Sequence, residues 1–445
     1  MSTEPAYPRP AYAWYCLGVI CFAYLFGFMD RIIIGLLSPA IQADIGLSDT
    51  QMGVLQGLAF AVFYTLFGLP LGRLADTGNR KWLLTAGTAL WSLMTAGAGL
   101  VRSFGGLFFM RAGVGVGEAT LNPCATSLIG DLFRPSDRAK AFGLYTMSTA
   151  LGTGFTYLGG GLVIGFIGGP SGGNQFLMPF LGAIPAWQAV FIIIGLAGLV
   201  PALLMAFTVR EPARRDLAGA SGAKASWDEI RAFLRLNRTT LLCHHFGVAL
   251  IVLAVYGWVA WLATLFVRIH GWTVPQFSIW YGIFGGLAGI VSAIASGYVA
   301  NWFKARGHSD GTMRTVLIGG FGLTLGTSIA PLMPTPELVL AGYCIAGIFT
   351  NFAPAQALAA VAEITPNQLR GFVTSIYILV VGLAGAGAGP PIMGWVTDNV
   401  FGDPLKVHYS MALVTFVMGS IGVALVAYGM KSDRASLTRV TWVKA

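Results

Sequence analysis

Four ionisable side chains lie in stretches otherwise apolar enough to cross a bilayer: Asp30 and Arg31 in one, Arg111 and Glu118 in another. Ionised groups are costly inside a membrane and normally face a cavity, a partner or a proton pathway, so each is a candidate functional residue. Arg111 and Glu118 stand seven residues apart in FFMRAGVGVGEATLNPCATSLIGD at 108–131. Two helical turns put both on one face, about 10 Å apart along the axis. Gly113, Gly115 and Gly117 remove bulk from one side, so another backbone or a substrate can approach closely. Asp30 and Glu118 are read as proton-coupling carboxylates. Arg31 and Arg111 are read as charges that tune them or hold an anionic head group. Helical rise gives Asp30 and Arg111 a similar depth, with Glu118 nearer the midplane, so an Asp30–Arg111 pair is expected. A static ion pair that only orients helices 1 and 4 is the competing reading.

These residues need a membrane scaffold, and the composition supplies one. Hydrophobic residues make up 56% and charged residues 10% of the 445, far from the balance of a soluble protein. Apolar spans fall near 12–37, 51–71, 82–101, 105–129, 141–167, 187–208, 240–266, 276–300, 315–332, 337–361, 371–397 and 408–430. That is an all-α membrane protein of twelve transmembrane helices. With the N-terminus cytoplasmic, all but five of the 27 Lys and Arg fall in cytoplasmic segments; the exceptions are Arg31, Arg102, Arg111, Arg268 and Lys406. This is the positive-inside pattern, with both termini cytoplasmic. It makes the net charge of +9 a topology signal and argues against a nucleic-acid partner. The five cysteines lie in apolar stretches and suggest neither disulfides nor a metal. Without a secretory signal at the N-terminus, the chain suits a bacterial plasma membrane. No phosphate loop, metal-ligand cluster or nucleophile–base spacing is present, so no catalytic residue, metal or cofactor is expected.

The expected domains are a six-helix bundle over 1–208, a cytoplasmic linker over 209–238, a second bundle over 239–430 and a tail over 431–445. In the linker, Ser226 and Glu229 have capping-box spacing. Trp227, Ile230, Phe233 and Leu234 share one face of the helix that follows, which is either a membrane-surface helix or a plain linker.

After the second span the chain reads GLPLGRLADTGNRK at 68–81. Gly72, Asp76 and Arg80, with Asp131 closing the fourth span, are candidates for a cytoplasmic gate. Asp76 is suited to cap a helix N-terminus, and Arg80 to pair with a carboxylate at another helix end. The stretch resembles the signature G-x-L-a-D-r-x-G-R-[RK] of the major facilitator superfamily, and Asp131 is the natural partner that this resemblance implies. Thr77 and Asn79 replace the usual Arg and Gly. The corresponding loop of the second half, GYVANWFKAR at 297–306, reads as a degraded copy without the acid, consistent with two pseudo-symmetric repeats. FMDR at 28–31, GRLAD at 72–76 with NRK at 79–81, RAGVGVGEA at 111–119 and SLIGDLF at 127–133 together resemble the spinster-type branch, transporters associated with sphingolipids and lysophospholipids.

Weaker signals complete the picture. Pro123 is expected to kink the fourth helix, and Asn122 is a cavity candidate or a backbone contact. Tyr256, Trp258 and Asn351 are further cavity candidates. Glycines and prolines at 382–391 mark a bend or close packing in helix 11. His244 and His245 begin a helix and read as an interfacial pair rather than a switch. The resemblance and the buried charges imply a proton-coupled secondary transporter of an amphipathic lipid, such as a lysophospholipid or sphingoid, or of drug-like compounds. Its partners would be membrane lipids, the substrate and protons. A carrier of small organic anions, with Arg31 and Arg111 as the clamp, is the rival. A non-transporting receptor or scaffold would not need Asp30 or Glu118.

Overall fold

A proline opens the first helix, where its missing N–H costs no intrahelical bond, and glycine closes it. Helix α1 (Pro10–Ile45) ends at Gly46, whose φ of 74° lets its N–H bond back to Gln42. A computed structural model describes residues 7–168, 175–215 and 226–444; part of the expected linker, 216–225, lies outside the described residues. The helices that follow are α2 (Asp49–Gln56), α3 (Leu58–Thr77), α4 (Arg80–Ala98), α5 (Phe104–Glu118), α6 (Leu121–Leu132), α7 (Pro135–Gly168) and α8 (Ala186–Thr208). A hairpin of β1 (Gln175–Met178) and β2 (Gly182–Pro185) stands between α7 and α8. Then come α9 (Trp227–Leu236), α10 (Arg238–His270), α11 (Val274–Ala305), α12 (Gly311–Ile329), α13 (Pro336–Gly347), α14 (Phe352–Ile364), α15 (Asn367–Val380), α16 (Gly389–Trp395) and α17 (Val407–Lys444).

Ten helical stretches of the described residues are each long and apolar enough to cross a membrane. The consecutive helices α5 and α6, together with α4, supply the other two of the expected twelve. Four spans are interrupted, among them the tenth, between α13 and α14. The second breaks at Gly57, between α2 and α3; a Cβ there would lie 2.4 Å from the Gly387 carbonyl oxygen, so only glycine permits that approach. The fourth breaks directly after Glu118, where Pro123 denies the Ala119 carbonyl its helical donor. The eleventh contains π-helical turns at Val381–Gly387 and Val396–Phe401, an irregularity common at functional sites. It coincides with the glycine-rich stretch of helix 11.

Contacts divide the chain into two units. The first comprises Met1–Leu47, Ala59–Gly219 and Thr273–Ile283; the second comprises Ser48–Leu58, Ala220–Trp272 and Phe284–Ala445. The start of the second span thus groups with the second unit and the start of the eighth with the first. In the first unit, Leu17, Ile20, Trp91, Leu128 and Ile129 are fully buried in one core, and Tyr157 packs edge-on against Phe277 and Tyr281. In the second, α2 lies against α16; a Cβ on Gly53 would be 2.6 Å from Pro391 Cα. Helix α9 carries the capping box of Ser226 and Glu229, and α17 continues as helix beyond residue 431.

Candidate functional site

Gly27 on α1 opens the space that Glu118 fills: a Cβ at Gly27 would sit 3.6 Å from the Glu118 carboxyl carbon. One turn further along α1, Arg31 points to the same face, and its Nε donates to Glu118 Oε2 at 2.5 Å. Glu118 is fully buried, whereas the Arg31 side chain is 25% exposed. Arg111, one face with Glu118 on α5, donates from Nη1 to the main-chain oxygen of Asp30 at 2.9 Å. Asp30 and Arg111 therefore meet, as expected, but through the backbone. The carboxylate ion pair joins Arg31 to Glu118. Asp30 is buried, and neither its Oδ1 nor Glu118 Oε1 has a hydrogen-bond partner among the described residues.

Aromatic faces complete the site. Arg31 Cζ lies 4.9 Å from the Phe60 ring centre and 5.1 Å from that of Tyr64, and Arg111 Cζ lies 5.6 Å from Phe60. Such cation–π contacts hold a guanidinium without neutralising it. The Tyr64 hydroxyl accepts from Asn122 Nδ2 at 3.2 Å, and Asn122 Oδ1 accepts from the Tyr145 hydroxyl at 2.6 Å. Asn122 is thus a relay between two tyrosines. Sequence reasoning missed Phe60, Tyr64 and Tyr145; a hydroxyl within an apolar span was the available signal for the two tyrosines, and Phe60 offered none. Close helix contact brings the parts together, since a Cβ on Gly115 would lie 2.6 Å from Phe60 O and one on Gly117 2.7 Å from Gly87 O.

A second cluster gathers at the opposite end of α6 from Glu118. Arg80 is fully buried and donates to Asp131 Oδ2, to Glu211 Oε1 at 2.7 Å, to Ser127 Oγ at 2.9 Å and to the Pro212 carbonyl at 3.1 Å. Glu211 also accepts from the Lys81 amide and so caps α4. Arg214 donates to the Ala75 and Gly78 carbonyls at the end of α3. Asp76 is exposed, and its side chain makes no hydrogen bond or ion pair among the described residues. Gly72 has open space beside it. Glu211 and Arg214 are the additional members; sequence reasoning counted Arg214 only among the basic residues of the linker and did not single out Glu211.

The remaining candidates lie in the second unit and do not converge. Trp258 is buried and packs on Tyr343, ring centres 4.8 Å apart. Tyr256, two residues away on α10, is exposed. Asn351 donates from its amide N–H to Ser292 Oγ and from Nδ2 to the Gly289 carbonyl, tying α14 to α11. His244 and His245 stand about two turns into α10 and are buried against the protein.

The model of the Major Facilitator Superfamily matches residues 20–308 and 310–440. The crystal structure of a bacterial homolog of the human lysosomal transporter spinster, inward-facing and unoccupied, superposes with a TM-score of 0.80 at 24% identity, covering 97% of this chain and 99% of that one. An MFS-type efflux pump of Mycolicibacterium smegmatis is 24% identical over 96% of this chain and 94% of its own length. A hexuronate transporter of Bacillus subtilis is 24% identical over 91% and 96%.

Proposed function

Since the chain belongs to the Major Facilitator Superfamily, we propose that it is a proton-coupled secondary transporter moving an amphipathic lipid of the lysophospholipid or sphingoid class by alternating access. The observation that carries this reading is the Arg31–Glu118 pair, with Phe60 and Tyr64 beneath the guanidinium. A proton on Glu118 removes the charge that holds Arg31, and Arg31 is then available to an anionic head group. Asp30, buried beside the pair with an unpartnered oxygen, is the second carboxyl for the proton. The aromatic faces suit the apolar part of an amphiphile. The resemblance of the motifs at 28–31, 72–81, 111–119 and 127–133 to the spinster-type branch, transporters associated with sphingolipids and lysophospholipids, supports a lipid cargo. The chain would lie in a bacterial plasma membrane with both termini cytoplasmic.

A second reading, transport of small organic anions, is favoured by two arginines sharing the Phe60 ring and by the relative that is a hexuronate transporter. Proteoliposomes loaded with a fluorescent lysolipid or with glucuronate, with and without an imposed pH gradient, separate the two. Gradient-driven lysolipid movement that Glu118→Gln or Asp30→Asn uncouples supports the proposal. Gradient-driven glucuronate movement alone supports the second reading. Variants that match the parent protein under the gradient overturn the role of both carboxylates.

A further inference from the structure

The hairpin between α7 and α8 is built unlike a loop meant for water. Residues 175–185 read QFLMPFLGAIP and contain no charged side chain. The strands pair antiparallel, Phe176 opposite Ile184 and Met178 opposite Gly182. The turn holds Phe180 at a φ of 67°, a left-handed conformation that aromatic residues rarely adopt. Its result is outward display: Phe180 is fully exposed, Leu177 is 78% exposed and Leu181 is 49% exposed.

The position of this turn identifies what covers it. Strand β2 ends at Pro185 and α8 begins at Ala186, so no spacer separates the hairpin from a membrane span. At the end of α7, Leu162 and Phe166, four residues apart on one helix face, are exposed as well. A four-residue strand reaches only about 13 Å, while the headgroup layer of each leaflet is about 5–8 Å deep beyond the hydrocarbon. The tip therefore cannot stand far from the bilayer. Exposed apolar and aromatic side chains at that level are what membrane interfaces select.

We infer that the 175–185 hairpin is an interfacial anchor, with Leu177, Phe180 and Leu181 inserted at the headgroup–acyl boundary. The partner is the bilayer leaflet at the end of α7 far from the Arg80–Asp131 cluster; α7, with 34 residues, extends about 51 Å between the two. The anchor fixes the level at which α7 and α8 leave the membrane.

The test places a reporter at the tip. The full-length protein with Phe180→Cys, in a Cys21→Ser and Cys344→Ser background, is labelled with an environment-sensitive fluorophore and placed in phosphatidylcholine–phosphatidylglycerol nanodiscs. The three cysteines left are buried, so the label reports position 180. The expected result is blue-shifted emission, at least twofold quenching by lipids with a nitroxide near the headgroup, and weak quenching by aqueous iodide. An Asp228→Cys label, on a residue whose side chain is 93% exposed, gives the aqueous reference. Iodide quenching at position 180 equal to that reference overturns the proposal. So does a label reached by neither quencher, which would place a protein surface there instead.

Discussion

Arg434 Nε donates to Asp310 Oδ2 across 2.6 Å, and this contact is the Arg80–Glu211 ion pair of the first unit with the charges exchanged. Arg80 opens the third span and Glu211 follows the sixth; Asp310 precedes the ninth and Arg434 lies near the end of the twelfth. Asp310 also accepts from Arg314 Nε at 2.8 Å. Glu363, closing α14 as Asp131 closes α6, accepts from Lys304 Nζ at 2.5 Å and from Thr312 Oγ1 at 2.6 Å. The loop at 297–306 is without an acid, as expected, but the acid stands four residues beyond it. The repeat is retained in position and altered in sign.

The Asp310 cluster yields a prediction about acid stability. Burial raises the Asp310 pKa, but hydrogen bonds from Arg314 and Arg434 outweigh it and leave the carboxyl below its usual value. A depressed folded-state pKa contributes stability that is complete above the unfolded value, near pH 4, and is lost as pH falls through the folded one. Asp310→Asn should lower stability at pH 7 by about 1–3 kcal/mol, because it removes the charge between two guanidinium groups and replaces one of the two acceptor oxygens with a donor. Intrinsic fluorescence melts from pH 3 to 8 should show a lower midpoint and a flatter acid limb for the variant. An unchanged acid limb would remove Asp310 as its source.

Two glycines should behave oppositely on substitution. A Cβ on Gly87 would lie 2.0 Å from Thr120 Oγ1 and 2.7 Å from the Gly117 carbonyl, whereas Gly72 has nothing within 4 Å. Gly87→Ala forces α4 away from the break after Glu118 and should cost about 1–3 kcal/mol. Gly72→Ala should leave the melting midpoint within about 0.5 kcal/mol of the parent. If transport nevertheless falls with Gly72→Ala, the signature glycine serves conformational change rather than folding.

The charges of the site were legible from sequence because an ionised side chain in an apolar span has few structural reasons to be there. Their pairing was not. Depth along the helix matched Asp30 to Arg111, but depth says nothing about azimuth, and azimuth put Arg31 against Glu118. The clue was Gly27, one turn before Arg31, whose missing side chain leaves room for the glutamate. Phe60 and Tyr64 were lost among many aromatics, since nothing local separates a ring that faces lipid from one that faces a guanidinium. The twelve spans followed from apolar length. The groupings of 48–58 and 273–283 depend on close glycine contacts far apart in sequence, which periodicity does not encode.

The buried histidines allow a tautomer to be assigned from their partners. His244 Nε2 lies 3.0 Å from the Ala357 carbonyl, which only accepts, so Nε2 carries the proton in the neutral ring. His244 Nδ1 then accepts from His245 Nδ1–H across 3.1 Å, and both rings pack on Tyr377. His244→Ala should cost about 2–4 kcal/mol through lost packing and an unpaired carbonyl. His244→Gln, whose amide nitrogen can reach the site of Nε2, should recover part of that. Equal melting midpoints for the two variants would show that the Ala357 bond contributes nothing.

Asp49 and Arg268 provide an asymmetric test within the second unit. Arg268 donates from Nη1 and Nη2 to the two Asp49 oxygens at 2.8 and 2.7 Å, and the Asp49 side chain is 2% exposed against 16% for Arg268. Beside this pair, Asp398 caps α2 by accepting from the Thr50 amide and hydroxyl at 2.7 and 2.6 Å. Arg268→Ala strands the buried Asp49 carboxylate next to the half-buried one of Asp398, whereas Asp49→Asn leaves an arginine that still reaches water. Arg268→Ala should therefore be the more destabilising, by about 1–2 kcal/mol, and Asp49→Asn in its background should restore part of the loss. Thermal melts of the two single variants and the double close the cycle. If Asp49→Asn proves as damaging as Arg268→Ala, and the double variant is the sum of both, the pair is not coupled.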